Sequence, residues 1–128
     1  IMSYPTEIKV VLEGVNKVYK DFDKICVFQP HRISRLKDLR KEFSFSFKNA
    51  DTVILCPIYT AGEKIKLGFN YLSFAKEIIK NSKVKLFLVN DNYQLAKFLK
   101  KNIYGKKIVI GMGAGNISSW MRKLPELM

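Results

Sequence analysis

The sequence predicts an α/β domain in three layers, a mostly parallel sheet with helices on both faces. Short apolar segments alternate along the chain with segments whose apolar residues recur at helical spacing. One of these short segments, residues 51–56, contains the apolar run that is typical of a central parallel strand. A length of 128 residues and a hydrophobic fraction of 48% suit a single domain with a substantial core.

The first half of the chain contains two predicted helices and two predicted strands. Tyr4-Pro5-Thr6-Glu7 opens the first helix, and a buried strand follows over residues 24–28. Helical spacing of apolar residues predicts the second helix over 35–47, with Ser34 as its N-cap. Pro57 ends the second strand because it has no N–H to give to the sheet. The apolar stripe predicted for the first helix is Ile8, Val11, Leu12, Val15 and Val18.

The second half repeats the alternation of helix and strand. A helix is predicted over roughly 71–79, a strand over 84–89, and a helix capped by Asp91 or Asn92 that runs through Leu99. Residues 107–110 form the fourth strand, which leads into a glycine-rich segment and a last helix over 117–124. Because ligands gather at the carboxyl ends of parallel strands, the loops after the first, second and fourth strands are expected to meet there.

Composition narrows the possible function classes. Lys and Arg number 23 against 11 acidic residues, a net charge of +12, but the lysines are scattered over the polar faces of predicted helices. This favours a solvated surface over a nucleic-acid site. Without a membrane-length apolar run or a signal-peptide pattern, we expect a cytoplasmic protein that does not bind membranes. Cys26 and Cys56 lie in apolar strands and are expected to be reduced core residues.

The turn after the first strand concentrates cationic groups. Residues 27–35 read V-F-Q-P-H-R-I-S-R and carry His31, the only histidine, together with Arg32 and Arg35. A position at a helix N-terminus favours anions. Two guanidinium groups three residues apart can face one ligand and hold a carboxylate or phosphate through paired hydrogen bonds. The turn therefore predicts an anion site, with a solvated basic cluster as the alternative.

No catalytic group stands out in the sequence. The segment Gly111-x-Gly113-x-Gly115 departs from the dinucleotide pattern, because Asn116 stands where the third glycine belongs. A tight turn that brings backbone close to a neighbouring strand or ligand is the favoured interpretation. The phosphate-binding pattern G-x-x-x-x-G-K-[ST] is absent, and a lone Glu63 is more often structural than a general base. We predict no catalytic residue and no metal ligand in this chain.

Five segments together resemble one protein family. In order they are Pro5-Thr6-Glu7-Ile8, F-Q-P-H-R-I-S-R over 28–35, Ala50-Asp51, I-Y-T-A-G-E over 58–63 and M-G-A-G-N-I over 112–117. They resemble the C-terminal domain of the Mur ligases, in particular of those that join L-alanine to UDP-N-acetylmuramate in peptidoglycan synthesis. The resemblance covers essentially the whole chain. It implies that residues 1–128 are one Rossmann-like domain excised from a three-domain, ATP-dependent amide ligase.

The resemblance also implies roles for particular parts of the enzyme. An N-terminal domain would hold UDP-N-acetylmuramate, and a central domain would hold ATP and Mg2+ through its P-loop. The C-terminal domain would close over ATP and dock L-alanine, and alone it would be inactive. His31, Arg32 and Arg35 would hold the alanine carboxylate or neighbouring anionic groups. The loop residues that would shape the small amino-acid pocket are Tyr59, Ala61, Gly62 and Glu63.

The start of the chain departs from the family pattern. The family usually has Asp-Asp-Tyr-Gly/Ala-His-His-Pro before this domain, whereas this chain has Ile1-Met2-Ser3-Tyr4-Pro5. The nucleotide-binding acids are therefore missing, and Ser3 and Tyr4 stand where histidines are usual. Two other functions stay open. One is the recycling ligase that attaches a whole peptide to UDP-N-acetylmuramate, and the other is a stand-alone basic module for anions or nucleic acid.

Overall fold

A computed structural model describes residues 4–59, 70–113 and 116–128, which form one parallel sheet covered by helices. The four strands lie in the order β3-β2-β1-β4, and each neighbouring pair is parallel. The elements in chain order are α1 (Pro5–Val18), β1 (Asp23–Gln29), α2 (Ile33–Asp38), α3 (Arg40–Ser44), β2 (Thr52–Leu55), α4 (Tyr71–Ser82), β3 (Lys85–Leu88), α5 (Asn92–Asn102), β4 (Lys107–Gly113) and α6 (Ile117–Leu127).

The core lies on both faces of the sheet, as the fold prediction requires. Alternate side chains of β1 point to opposite faces, so Cys26 and Phe28 join one apolar cluster while Ile25 and Val27 join the other. The first cluster is covered by α1, α2, α3 and α4, and the second by α5 and α6. The predicted α/β class is therefore confirmed. No helix of the described ranges is both long and apolar enough to cross a membrane.

The single helix predicted over 35–47 is wrong, because the chain forms two short helices that meet at Leu39. The second of them ends at Ser44, where hydroxyl groups compete for the helix carbonyls. Ser44 Oγ donates to the Lys41 carbonyl at 2.6 Å, and Ser46 Oγ donates to the Glu42 carbonyl at 2.7 Å. The non-helical chain that follows still buries Phe47 completely. Phe47 is therefore buried against the sheet even though the helix does not continue to it.

Two further elements differ from their predicted form. The stripe of α1 is narrower than predicted, since Ile8 and Leu12 are buried while Val11 and Val18 are 41% and 74% exposed. The fourth strand is longer than predicted, because β4 continues through Gly111 and Met112 to Gly113. Gly111 to Gly113 pair in register with Val27 to Gln29 of β1. Most of the glycine segment within the described ranges is thus strand and not a turn.

Candidate functional site

The strand order fixes where a ligand crevice lies. From β1 the chain adds β2 and then β3 on one side, and afterwards returns to add β4 on the other side of β1. In open parallel sheets ligands bind at the carboxyl ends of the strands, beside the point where the order reverses. Here that point lies between β1 and β4, where Gln29 pairs with Gly113. The segment that carries His31, Arg32 and Arg35, here called the basic turn, follows Gln29 directly.

Beyond Pro30 the chain pairs again with the segment that follows β2, and this pairing fixes the position of the basic turn beside Tyr59. His31 forms an isolated parallel bridge with Tyr59. The Tyr59 N–H donates to the Pro30 carbonyl at 2.9 Å, and the Arg32 N–H donates to the Tyr59 carbonyl at 2.7 Å. The rings of His31 and Tyr59 have centroids 5.5 Å apart. Two of the predicted site segments are therefore joined by backbone hydrogen bonds, although Pro30 itself has no N–H to contribute.

The helix after the turn begins differently from the prediction. It starts at Ile33 with Arg32 as the N-cap residue, so the N-cap role predicted for Ser34 is wrong. Arg32 has φ 63° and ψ 130°, a conformation that side chains with a Cβ rarely adopt. The helix has six residues and no side-chain cap. A macrodipole this short gives little electrostatic support, so the anion argument depends on the guanidinium groups themselves.

Arg35 is oriented by contacts with residues from two other segments. Its Nη1 lies 3.3 Å from His31 Nδ1, which accepts because a guanidinium has only donors. The Arg35 Cζ lies 4.8 Å from the centroid of the Tyr4 ring, within cation–π range. His31, Arg35 and Tyr4 therefore form one connected group.

Arg32 and Arg35 open onto the same pocket, as their spacing predicted. This shallow pocket has a volume of about 370 Å³. Its lining residues are Tyr4, Arg32, Ser34, Arg35, Asp38 and Leu39. The two guanidinium groups outnumber the one carboxylate, so the pocket suits a small anion or a zwitterion whose negative end meets the arginines. Ala61, Gly62 and Glu63, the other residues predicted for the site, lie outside the described residues.

Sequence reasoning missed Gln29, the last residue of β1. Gln29 is 2% exposed, and its Nε2 donates to the Pro57 carbonyl at 3.1 Å, which ties the ends of β1 and β2 together. Its Oε1 is buried and has no hydrogen-bond partner among the residues that the structure describes. A buried amide at the end of an apolar strand was a visible signal, because glutamine is seldom fully buried without a role. The backbone of Gln29 also contacts Gly113 closely.

The two cysteines lie in the core and are held in their protonated form. Burial raises the pKa of Cys26 to about 12, and burial also raises the pKa of Cys56 to about 12. Both thiols are free and buried, as predicted, and are protonated at neutral pH. Within residues 4–59, 70–113 and 116–128, no three His, Cys, Asp or Glu side chains gather where they could hold a metal ion.

Sequence comparison identifies relatives along nearly the whole chain. The chain is 73% identical over 125 residues, 98% of its length, to the UDP-N-acetylmuramate–L-alanine ligase of Pelagibacter ubique. Ligases of the same name from Bartonella tribocorum and Paramagnetospirillum magneticum are 34% and 35% identical over 96% and 95% of the chain. The chain spans about a quarter of the length of these relatives, 27%, 26% and 25%. No protein-family model matches it.

Solved structures share the fold at low sequence identity. A UDP-N-acetylmuramate–alanine ligase from Thermotoga maritima matches with TM-score 0.66 and 22% identity, over 96% of this chain and 24% of its own. A murein peptide ligase from Psychrobacter arcticus matches with TM-score 0.70 and 16% identity, over 98% and 26%. A domain assigned to a UDP-N-acetylmuramate:L-alanyl-γ-D-glutamyl-meso-diaminopimelate ligase from Haemophilus ducreyi matches with TM-score 0.67 and 15% identity, over 100% and 88%.

Fold and sequence therefore define a domain of the Mur ligase family. The predicted resemblance is confirmed by the sequence relatives, and the solved structures show the same fold. Within the family, the sequence relatives reported above are ligases named for UDP-N-acetylmuramate and L-alanine, and the chain matches about a quarter of each.

Proposed function

We propose that this chain is the closing domain of an ATP-dependent amide ligase that joins L-alanine to UDP-N-acetylmuramate. In that enzyme the pocket at Arg32 and Arg35 docks the carboxylate of the incoming amino acid. The observation that carries the proposal is the convergence of both guanidinium groups on one pocket, at the carboxyl end of β1. The 73% identity to the Pelagibacter ligase over 98% of the chain supports the choice of reaction.

The arrangement fits amino-acid docking better than phosphate transfer. Two guanidinium forks can hold a carboxylate by paired, charge-assisted hydrogen bonds. The described residues offer no group of metal ligands, and the sequence has no G-x-x-x-x-G-K-[ST] loop for a triphosphate. We infer that ATP and Mg2+ bind in other parts of the longer enzyme. His31, Arg32, Arg35 and Tyr59 form the proposed docking site.

The recycling ligase for whole peptides is the second candidate for the same pocket. Two of the solved structures with this fold are named for peptide substrates, at TM-scores of 0.67 and 0.70. Their identities of 15% and 16% show the fold alone, whereas the relatives named for L-alanine reach 73%. Sequence similarity therefore favours L-alanine. The stand-alone module for nucleic acid has only the net charge of +12 in its favour, and net charge alone indicates weak, non-specific association.

The test is to place this chain in a complete ligase. A chimeric ligase would carry this chain in place of the matching 125 residues of the Pelagibacter enzyme. We expect phosphate release from ATP that requires both UDP-N-acetylmuramate and L-alanine, and no release when the chain is deleted. A folded chimera that stays inactive beside an active parent enzyme would refute the proposal. Turnover with L-alanyl-γ-D-glutamyl-meso-diaminopimelate but not with L-alanine would establish the recycling reaction instead.

The docking role of Arg32 gives a sharper prediction in the same chimera. Arg32→Ala should raise the KM for L-alanine by about 10- to 100-fold, as expected for one lost hydrogen bond between charged groups. The KM for ATP should change less than about twofold, because the substitution removes only the carboxylate contact. Lys37→Ala is the matched control, since Lys37 is an exposed cation of the same helix that does not line the pocket. Equal effects on both substrates would contradict the assigned role.

A further inference from the structure

We propose that Tyr4 is a positioning residue of this pocket, whose ring holds the Arg35 guanidinium in the orientation that receives the anionic ligand. The inference rests on the proposed function and adds a residue to its site.

The geometry links three separate segments through one side chain. Tyr4 immediately precedes α1, His31 follows β1, and Arg35 lies in α2. The Arg35 Cζ lies 4.8 Å from the Tyr4 ring centroid, and its Nη1 lies 3.3 Å from His31 Nδ1. A free arginine side chain has about 2 kcal/mol of rotamer entropy to lose on binding. Contacts made before the ligand arrives reduce that loss, which is how preorganisation raises affinity.

The backbone of Tyr4 is held independently of its ring. Its N–H donates to Glu7 Oε1 at 3.0 Å, and its carbonyl accepts the Ile8 N–H at 3.0 Å. Pro5 then starts the helix. A change of the Tyr4 side chain therefore leaves the start of α1 intact. The residue is 39% exposed and lines the same pocket as Arg35.

The size of the effect follows from the exposure of the ring. A cation over an aromatic face gains about 0.5–1 kcal/mol at exposed sites, which corresponds to a factor of about two to five in affinity. The attraction comes from the face of the ring, so the hydroxyl group is not required. Phenylalanine at position 4 should therefore retain the contact with Arg35. Leucine should lose it, because leucine is a large apolar side chain without an aromatic face.

The experiment measures steady-state kinetics of the chimeric ligase. Tyr4→Leu should raise the KM for L-alanine about two- to fivefold and leave kcat and the KM for ATP unchanged. Tyr4→Phe should restore the parental KM. In an Arg35→Ala background, Tyr4→Leu should have no further effect, because the two side chains act through one contact. Tyr104→Leu is the matched control, since its ring lies 5.0 Å from Lys107 Nζ at the opposite end of the sheet.

The outcomes separate this inference from the proposed function. If the chimera does not ligate L-alanine, the proposed function fails. If it does, and Arg35→Ala raises the KM for L-alanine while Tyr4→Leu leaves it unchanged, only the positioning role is overturned. A KM increase of the same size for Tyr4→Leu with and without Arg35 would overturn it as well, because the ring would then act independently of the guanidinium.

Discussion

Replacing Gly113 by alanine should destabilise the chain more than any other glycine replacement that the structure describes. A Cβ at this position would lie 2.2 Å from the Gln29 carbonyl oxygen, where ordinary contact begins at 3.4 Å. The obstacle is backbone of β1, an inner strand that pairs with β2 on one side and β4 on the other. Gly113 also has φ +130°, which an alanine adopts only under strain.

The magnitude can be assembled from these two effects. Overpacking of a tight site costs about 1–3 kcal/mol, and a disallowed backbone conformation costs about 1–3 kcal/mol more. Their sum of about 2–6 kcal/mol is a large part of the 5–15 kcal/mol that is typical of a domain's total stability. With a urea m-value of about 2 kcal/mol per M, a loss of about 4 kcal/mol lowers the midpoint by about 2 M.

Two other glycines are matched controls. Gly105 has φ +71°, but a Cβ added there would meet no heavy atom within 4 Å, so Gly105→Ala should cost only about 1 kcal/mol. Gly14 lies within α1 with equal space, and Gly14→Ala should stabilise the chain by about 0.5–1 kcal/mol.

The assay is urea unfolding of the 128-residue chain, followed by the fluorescence of its single tryptophan. Trp120 packs against the apolar cluster under α5 and α6, so its emission reports the loss of that packing. The reasoning is refuted if Gly113→Ala unfolds no more readily than Gly105→Ala, because the close approach to β1 would then carry no cost.

Two further predictions concern strain at the site and the buried thiols. Arg32→Gly should relieve the backbone strain at φ 63° and raise the free energy of unfolding by about 1 kcal/mol. It should also raise the KM for L-alanine, as Arg32→Ala does. If the free energy of unfolding of Arg32→Gly is no higher than that of Arg32→Ala, the backbone at this position is not strained. The pKa of Cys26 and that of Cys56 are each raised from 9.0 to about 12, so the unfolded state releases these protons first as pH rises above 9. The free energy of unfolding should therefore fall by about 2–3 kcal/mol between pH 8 and pH 10. The double variant with both cysteines replaced by alanine should lose this pH dependence. A urea midpoint of the parent chain that does not change between pH 8 and pH 10 would contradict the prediction.

Much of the fold could be predicted because apolar periodicity reflects which faces are buried. The strand over 51–56 was recognised because β2 is an inner strand, buried on both faces, and such strands read as apolar runs. The break at Leu39 could not be predicted in the same way. Leu36 and Phe43 are buried on the same face of the sheet whether or not the helix between them is continuous, so their spacing does not report the break.

For the candidate site, residue type indicated a function that local sequence geometry could not support. Side-chain chemistry alone predicts that Arg32 and Arg35 bind an anion, which stays a prediction, and the structure opens both side chains onto one pocket. The expected support from a helix capped by Ser34 depended on where that helix begins, and helix ends are the least predictable part of a sequence pattern. The bridge between His31 and Tyr59 was also hidden from sequence, because it joins residues 28 positions apart after a proline.

The basic turn owes its shape to the sheet more than to the helix that follows it. Gly113 lets β4 approach the backbone of Gln29, and the Gln29 side chain then ties β1 to Pro57. Further along the turn, the Tyr59 carbonyl accepts the Arg32 N–H and fixes the residue whose φ is positive. A shift of β1 at Gly113 would therefore move the guanidinium groups without touching them. For this reason Gly113→Ala in the chimeric ligase should raise the KM for L-alanine, whereas Gly105→Ala should leave it unchanged, even where both variants remain folded.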